Sequence, residues 1–249
     1  DDLSGYGKII SLNDDGISIG PWNNLNNTGD HYHLFGWKAG GMPTDKFPYM
    51  RDDIAYGSFQ SLSDSYENGI STLTENGMIT PTKMSVGTKQ GFSMVNYTGV
   101  GATRQIPHGL NKKPCFIVTK ILNDTGNFGT YHHATGDTHA LRLSDTDGKE
   151  DLNTAWGDTS PTDTHFTVGS WAGSGQSSKT YEAWCWAEIE GFSKFGTYAG
   201  NGNANGTFVY CGFRPAFVMC KRHDGSESWF VHTSTENSFN PCDGGIRPN

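Results

Sequence analysis

No stretch of about 18 apolar residues occurs in this chain, so nothing in it reads as a membrane-spanning helix. No CxxC pair occurs among its five cysteines, Cys115, Cys185, Cys211, Cys220 and Cys242, and their number is odd. A zinc site or a complete disulfide framework is therefore not expected. Free, partly buried thiols are the default, with a Cys211–Cys220 or Cys220–Cys242 bridge as the lesser alternative. Positive charge is scarce: 18 Lys and Arg stand against 26 Asp and Glu, a net charge of -8. That balance argues against nucleic acid, whose partners carry basic patches. Neither a Gly-x-Ser-x-Gly elbow, nor a P-loop, nor an HExxH motif is found, so no enzyme and no cofactor are expected. Asp1-Asp2-Leu3 does not read as a signal peptide.

Helical periodicity is also missing, whereas alternation is common. With 33 Gly, 34% hydrophobic residues and 12% aromatics, the composition suits short strands, tight turns and cores built from rings. Tyr181 to Ile189 sets Tyr181, Ala183, Cys185, Ala187 and Ile189 on one side and Glu182, Trp184, Trp186 and Glu188 on the other. Period two is the strand signature. Both sides carry large or apolar groups, so this strand is expected to be central, with one face on the core and one partly covered. His165–Gly169, Ala140–Leu143, Cys115–Ile121 and Phe217–Lys221 also read as strands. The expectation is an all-β protein of antiparallel β-sandwich, jelly-roll or lectin-like type.

Two stretches about a hundred residues apart repeat each other. Gly91-Phe92-Ser93, Tyr97-Thr98-Gly99, Gly109, Pro114 to Val118, Lys120 and Tyr131-His132 recur as Gly191-Phe192-Ser193, Tyr198-Ala199-Gly200, Gly212, Pro215 to Met219, Lys221 and Val231-His232. A partial third copy opens the chain: Gly16 to Gly20 matches His165 to Gly169, and Tyr32 to Trp37 matches Tyr181 to Trp186. The organisation expected is tandem units of about 100 residues. Residues 1–41 are the back half of a unit and 42–90 an inserted connector with one short helix. Residues 91–190 are a complete sandwich unit and 191–249 the front half of another. The two halves are complementary. Open strand edges are unfavourable, so completion within the chain or by strand donation between protomers is one expectation, and a longer parent protein the other.

Gly91-Phe92-Ser93 with Ile106-Pro107-His108-Gly109-Leu110 and Pro114 to Lys120, Ala187 to Gly196, and Gly212 to Lys221 together resemble a domain of unknown function. That domain is common in tail-fibre-like virion proteins of marine and aquatic bacteriophages, often after a concanavalin-A-like lectin domain. The resemblance covers most of residues 8–41 and 79–235, and Tyr32 to Gly41 fits it. It implies a β-sandwich with a structural or host-binding role, and carries over no catalytic residues. The stretch 42–90 departs from the pattern, as does Asn123–Gly129, where a Trp usually precedes the Tyr-His pair; the second copy keeps that ring as Trp229.

Candidate sites are few. His31 and His33, at i and i+2, share a strand face and are metal candidates across a symmetric fibre, or else exposed edge histidines. His132, His133 and His139 cluster beside Tyr131, and the repeat sets His132 against His232, which favours a shared structural hydrogen bond. Asp145/Asp147, Glu150/Asp151 and Glu188/Glu190 are acid pairs that suit turns and strand ends better than hydrolysis. Asp145 to Glu150 resembles the opening of a calcium loop without its distal ligands. Trp156, Trp171 and Trp22 sit among turn residues and are candidates for stacking on sugars.

The function expected is a structural virion protein, a phage tail-fibre or appendage component that self-assembles and adheres to the host surface. Its partners would be copies of itself, as a trimer or head-to-tail assembly, other virion proteins and a host-surface glycan, with no membrane insertion. A carbohydrate-binding or polysaccharide-degrading module is one alternative. An extracellular filament subunit completed by strand donation is the other.

Overall fold

The computed structural model describes residues 9–13, 15–20, 23–32, 34–57, 59, 77–235 and 244–249. The chain divides into two compact units, 1–37 and 38–249. Trp22, His33 and Cys242 lie outside the described residues.

The first unit holds an antiparallel hairpin, β1 (Ile9–Asn13) with β2 (Gly16–Ile19), and a single helical turn, α1 (Asn23–Asn26). Asn13 Nδ2 donates to Ser18 Oγ across the hairpin, 3.1 Å. Ile10 and Leu12 remain largely exposed.

The second unit is built on a nine-stranded sheet. Its strands are β3 (Tyr49–Arg51), β4 (Ile54–Tyr56), β5 (Lys83–Gly87), β6 (Phe92–Thr98), β8 (Pro114–Ile121), β9 (Gly129–His132), β10 (His139–Arg142), β11 (Glu150–Asp151) and β13 (Thr180–Ala187). Their order is β11-β10-β9-β8-β13-β6-β5-β3-β4. Every neighbouring pair is antiparallel except β3 and β5. A smaller pair, β7 (Arg104–Pro107) with β12 (His165–Val168), and the helical turn α2 (Asn153–Trp156) pack over one face. The result is mostly β, with two layers of unequal size.

β13 behaves as its alternation predicts. It pairs with β6 on one edge and β8 on the other. Tyr181, Ala183, Cys185 and Ala187 are buried in the main core, while Trp184 and Trp186 point to a second, outer cluster. In the main core Tyr97 stacks on Tyr181 with ring centroids 5.4 Å apart. Their hydroxyls donate to Ser174 O and Ala172 O, which ties the 171–176 loop to the core. The outer cluster joins Phe116, Val118 and Leu141 to Trp229, with Phe195 and Met219 against it. The Trp229 indole N–H donates to Arg142 O, 2.9 Å, so the chain after 191 covers part of the outer face.

The stretch 42–90, read from sequence as a connector with one helix, supplies three strands of the main sheet, and no helix occurs among its described residues. The strands are three to five residues long, too short for a periodic signal, and β3 meets β5 only through a parallel pairing. Lys38 to Gly41, assigned from sequence to the first half unit, belongs to the second unit. Gly40 is required there, because a Cβ would collide with the Val86 carbonyl. Its N–H donates to Ser85 Oγ, and its carbonyl accepts from Asp53 N.

In the stretch 191–249, β14 (Phe217–Cys220) pairs with β15 (Phe230–Thr233), and Val231 forms a bridge with Ile246. Residues 191–216 lie in no strand. The corresponding β6 of the first copy is held between β13 and β5, and residues 192–198 have no such strand neighbours.

His108 is fully buried beside β7. Its Nδ1 accepts from Leu110 N at 3.2 Å, which leaves Nε2 as the donor to Thr162 O at 3.1 Å. Burial holds its pKa down to about 4, despite the Thr162 bond pulling upward. Below about pH 6.5 the unfolded chain takes up a proton that the folded chain refuses, so stability falls with pH until about pH 4. The His108 share of the loss is about 3 kcal/mol between pH 7 and pH 4. Urea midpoints at the two pH values measure it, and His108→Gln, which can supply both bonds, should shrink the difference by about half or more.

Candidate binding surface

The tryptophans proposed from sequence fare differently. Trp156 is 1% exposed: α2 turns its ring inward, where it meets Tyr131 edge-on at 5.8 Å. A ring so enclosed cannot stack on a sugar, which corrects the sequence assignment. The Gly157 C-cap after it is left-handed, φ 58°, and ends the turn that aims the ring into the core. Trp171 is half-buried, with the Arg142 guanidinium over its ring at 5.6 Å. Gly129 and Gly173 lie so close to that ring that a Cβ on either would strike it. Trp171 is thus a packing residue of the 171–176 loop. Trp22 lies outside the described residues.

Among the histidines, His31 is exposed and His33 is not described. His132 Nδ1 accepts from Ala134 N at 3.1 Å, whereas His232 Nδ1 faces Gly244 O at 2.6 Å and must donate. Both are structural, but the bond is not shared as the repeat suggested. Burial, aided by His133 and His223, lowers His132 to about 4. His133 Nε2 approaches Phe195 O, and His139 Nδ1 approaches Thr138 Oγ1. Among the described residues, no group of three His, Cys, Asp or Glu side chains is placed to hold a metal ion.

The acidic loop 145–150 gathers around Arg142, which pairs with Asp145, Asp147 and Glu150. A guanidinium therefore occupies the position that the calcium-loop likeness would give to an ion. Lys221 Nζ donates to Thr146 O, and Glu227 N donates to the same carbonyl, binding the loop to the C-terminal stretch. Burial works to raise the Glu188 pKa, but Lys194 and the Phe195 amide outweigh it and hold this carboxyl below its ordinary value. That is the opposite of what a general acid at neutral pH needs.

The aromatic surface that the fold does present is on the outer face of the main sheet. Trp184 is partly buried there, with Phe128 at 6.1 Å, and Lys120 Nζ lies 4.9 Å from the Phe128 ring centroid. Glu182 accepts from the Trp184 indole and from Asn96 Nδ2. Rings framed by fixed polar groups suit a ligand that is apolar on its faces and hydroxylated at its rim. The alternation of β13 assigned Trp184 to this side; nothing local brings Phe128 to it, because that contact depends on the β8–β9 hairpin. A separate cavity of about 220 Å³, lined by Met78, Arg104, Gln105, Thr159 and Thr167, is small for an organic ligand.

Residues 65–249 match a family described as a domain of unknown function, DUF7483. The chain belongs to the DUF7483 family. No curated protein and no solved structure matches it. In this DUF7483 protein the matched region runs from within the undescribed 60–76 stretch through β15, and so includes the outer aromatic face, the acidic loop and β14.

Two substitutions separate packing from surface. Trp156→Ala should cost about 3–5 kcal/mol in chemical denaturation, the range for a buried ring. Arg142→Ala should free the 145–150 loop, seen as faster amide exchange at Lys149 and Glu227, whose N–H groups bond across it to His223 O and Thr146 O.

Proposed function

We propose that this DUF7483 protein is a structural component of a virion appendage of the tail-fibre kind, which self-assembles and meets host-surface glycans. The observation that carries the self-assembly is the unfinished sheet at β14–β15. Its β14 edge has no second strand partner among the described residues, and Val218 is 38% exposed on it. Phe208 and Tyr210 nearby in sequence are 86% and 76% exposed. An open, apolar strand edge is a template for another chain. The likeness of its repeats to tail-fibre domains points the same way. A filament subunit closed by strand donation is the same reading with open-ended assembly.

Adhesion rests on the outer aromatic face. Trp184 and Phe128 offer ring surface, and Glu182, Asn96 and Lys120 offer polar contacts to a sugar edge. Binding to host polysaccharide without shortening it supports an adhesin; shortened chains would favour a polysaccharide-degrading module.

Light scattering over a hundredfold dilution tests the assembly. The expected result is an average mass that rises with concentration or holds at a multiple of one chain. A single-chain mass at every concentration contradicts the proposal. For adhesion, Trp184→Ala should weaken polysaccharide binding by about tenfold, or about 1.4 kcal/mol, at unchanged fold. Unchanged affinity removes this face from the account.

A further inference from the structure

We propose that the cavity beside β7 and β12 is a binding site for a single carboxylate group, taken by the Arg104 guanidinium with the Gln105 amide and the Thr167 hydroxyl. The site involves neither the outer aromatic face nor β14, so it stands apart from the adhesion and self-assembly readings.

Alternation along the two strands builds the site. Phe166 and Val168 of β12 and Ile106 of β7 are buried in the main core. Side chains alternate across a strand, so Thr167 and Gln105 turn to the other side of the pair, where they line the cavity. They are directly opposed in the antiparallel register and share one face. Arg104 opens β7, and its side chain runs along Gly77: a Cβ on Gly77 would lie 3.6 Å from Arg104 Nε. Gly77 is left-handed, φ 75°, so another residue there would be strained as well as crowded. The turn after α2 supplies the remaining wall. Gly157 presses on Thr103 and Thr167, and Thr159 lines the cavity just beyond it.

Two of these groups have hydrogen-bonding capacity to spare. Thr167 is 3% exposed, and its Oγ1 is buried without a hydrogen-bond partner. A buried hydroxyl so placed is unfavourable until an acceptor reaches it. Arg104 Nη1 donates at 2.8 Å to the carbonyl of Thr103, its own neighbour, and no carboxylate among the described residues pairs with the guanidinium. Arg51, Arg142 and Arg222 each have such a carboxylate. Guanidinium, amide and hydroxyl can all donate, and an ionised carboxylate only accepts. The planar fork of one arginine matches one carboxylate in charge and in shape. A phosphate carries nearly two charges, and no second cation is found among the described lining residues. At about 220 Å³ the cavity suits one charged group, with the rest of its molecule outside. A free small acid and a sugar acid both supply that group.

Titration at constant ionic strength tests the site, followed by calorimetry and by the amide resonances of β7 and β12. Acetate and glucuronate should each saturate it below about 100 mM and move the Gln105 and Thr167 amides. Glucose, which lacks the carboxylate, should not. Arg104→Gln should weaken both acids by at least about tenfold. Thr167→Val keeps the shape and removes the hydroxyl. It should weaken binding by about fivefold and leave the free protein at least as stable in urea. A hydroxyl with only a structural role would lower stability when removed and leave binding unchanged. Glucuronate bound more than about tenfold tighter than acetate assigns the site to a sugar acid, and any smaller ratio to a free small acid. Four results overturn the proposal: no binding of either acid in that range, the same amide shifts from chloride or glucose, phosphate bound more tightly than acetate, or affinity unchanged in Arg104→Gln. Unmoved β13 amides show that each variant keeps its fold. Trp184→Ala should leave acetate binding as it is, so failure here and failure of the adhesion reading are separate results.

Discussion

β13 is the strand on which the second unit depends. It is hydrogen-bonded along both edges, to β6 and to β8, and packed on both faces. This arrangement satisfies its backbone groups while burying Tyr181, Ala183 and Cys185 on one side and half-covering Trp184 and Trp186 on the other. Burial raises the Cys185 pKa well beyond its ordinary value, a sign of how dry that centre is. From this strand the sheet extends outward in short steps until it stops at β11 and β4.

The way the sheet stops is informative. β11 is two residues, Glu150-Asp151, both exposed and charged, and β4 is three residues. Short or charged edges resist pairing with another chain. β14 ends differently, with Phe217 and Val218 each 38% exposed. The main sheet thus ends on two short edges, whereas the β14–β15 pair exposes an apolar side chain, Val218. That contrast, rather than any single residue, is the ground for the assembly proposed above.

Much of this was legible in the sequence, for a physical reason. Where a strand is central, its neighbours impose strict alternation, and β13 was marked by it; β8, β12 and β14 were legible as short apolar runs. Where a strand is three residues long, as in β3 and β4, tertiary pairing decides, and local pattern says nothing. Trp156 and Trp171 both stand beside glycines, which reads as exposed loop. In the fold those glycines do the opposite: Gly157 turns the chain after Trp156, and Gly129 and Gly173 make room for the Trp171 ring. The outer aromatic face was half legible, since alternation placed Trp184 but only the β8–β9 hairpin brings Phe128 beside it.

Amide exchange along Phe217–Cys220 tests the central claim most directly, compared between dilute and concentrated protein. In a two-stranded pair, alternate N–H groups point away from the partner strand. The account predicts that these amides slow by at least about tenfold on assembly, while those of β13 stay slow throughout. Assembly that leaves the β14 amides as fast as before would contradict it.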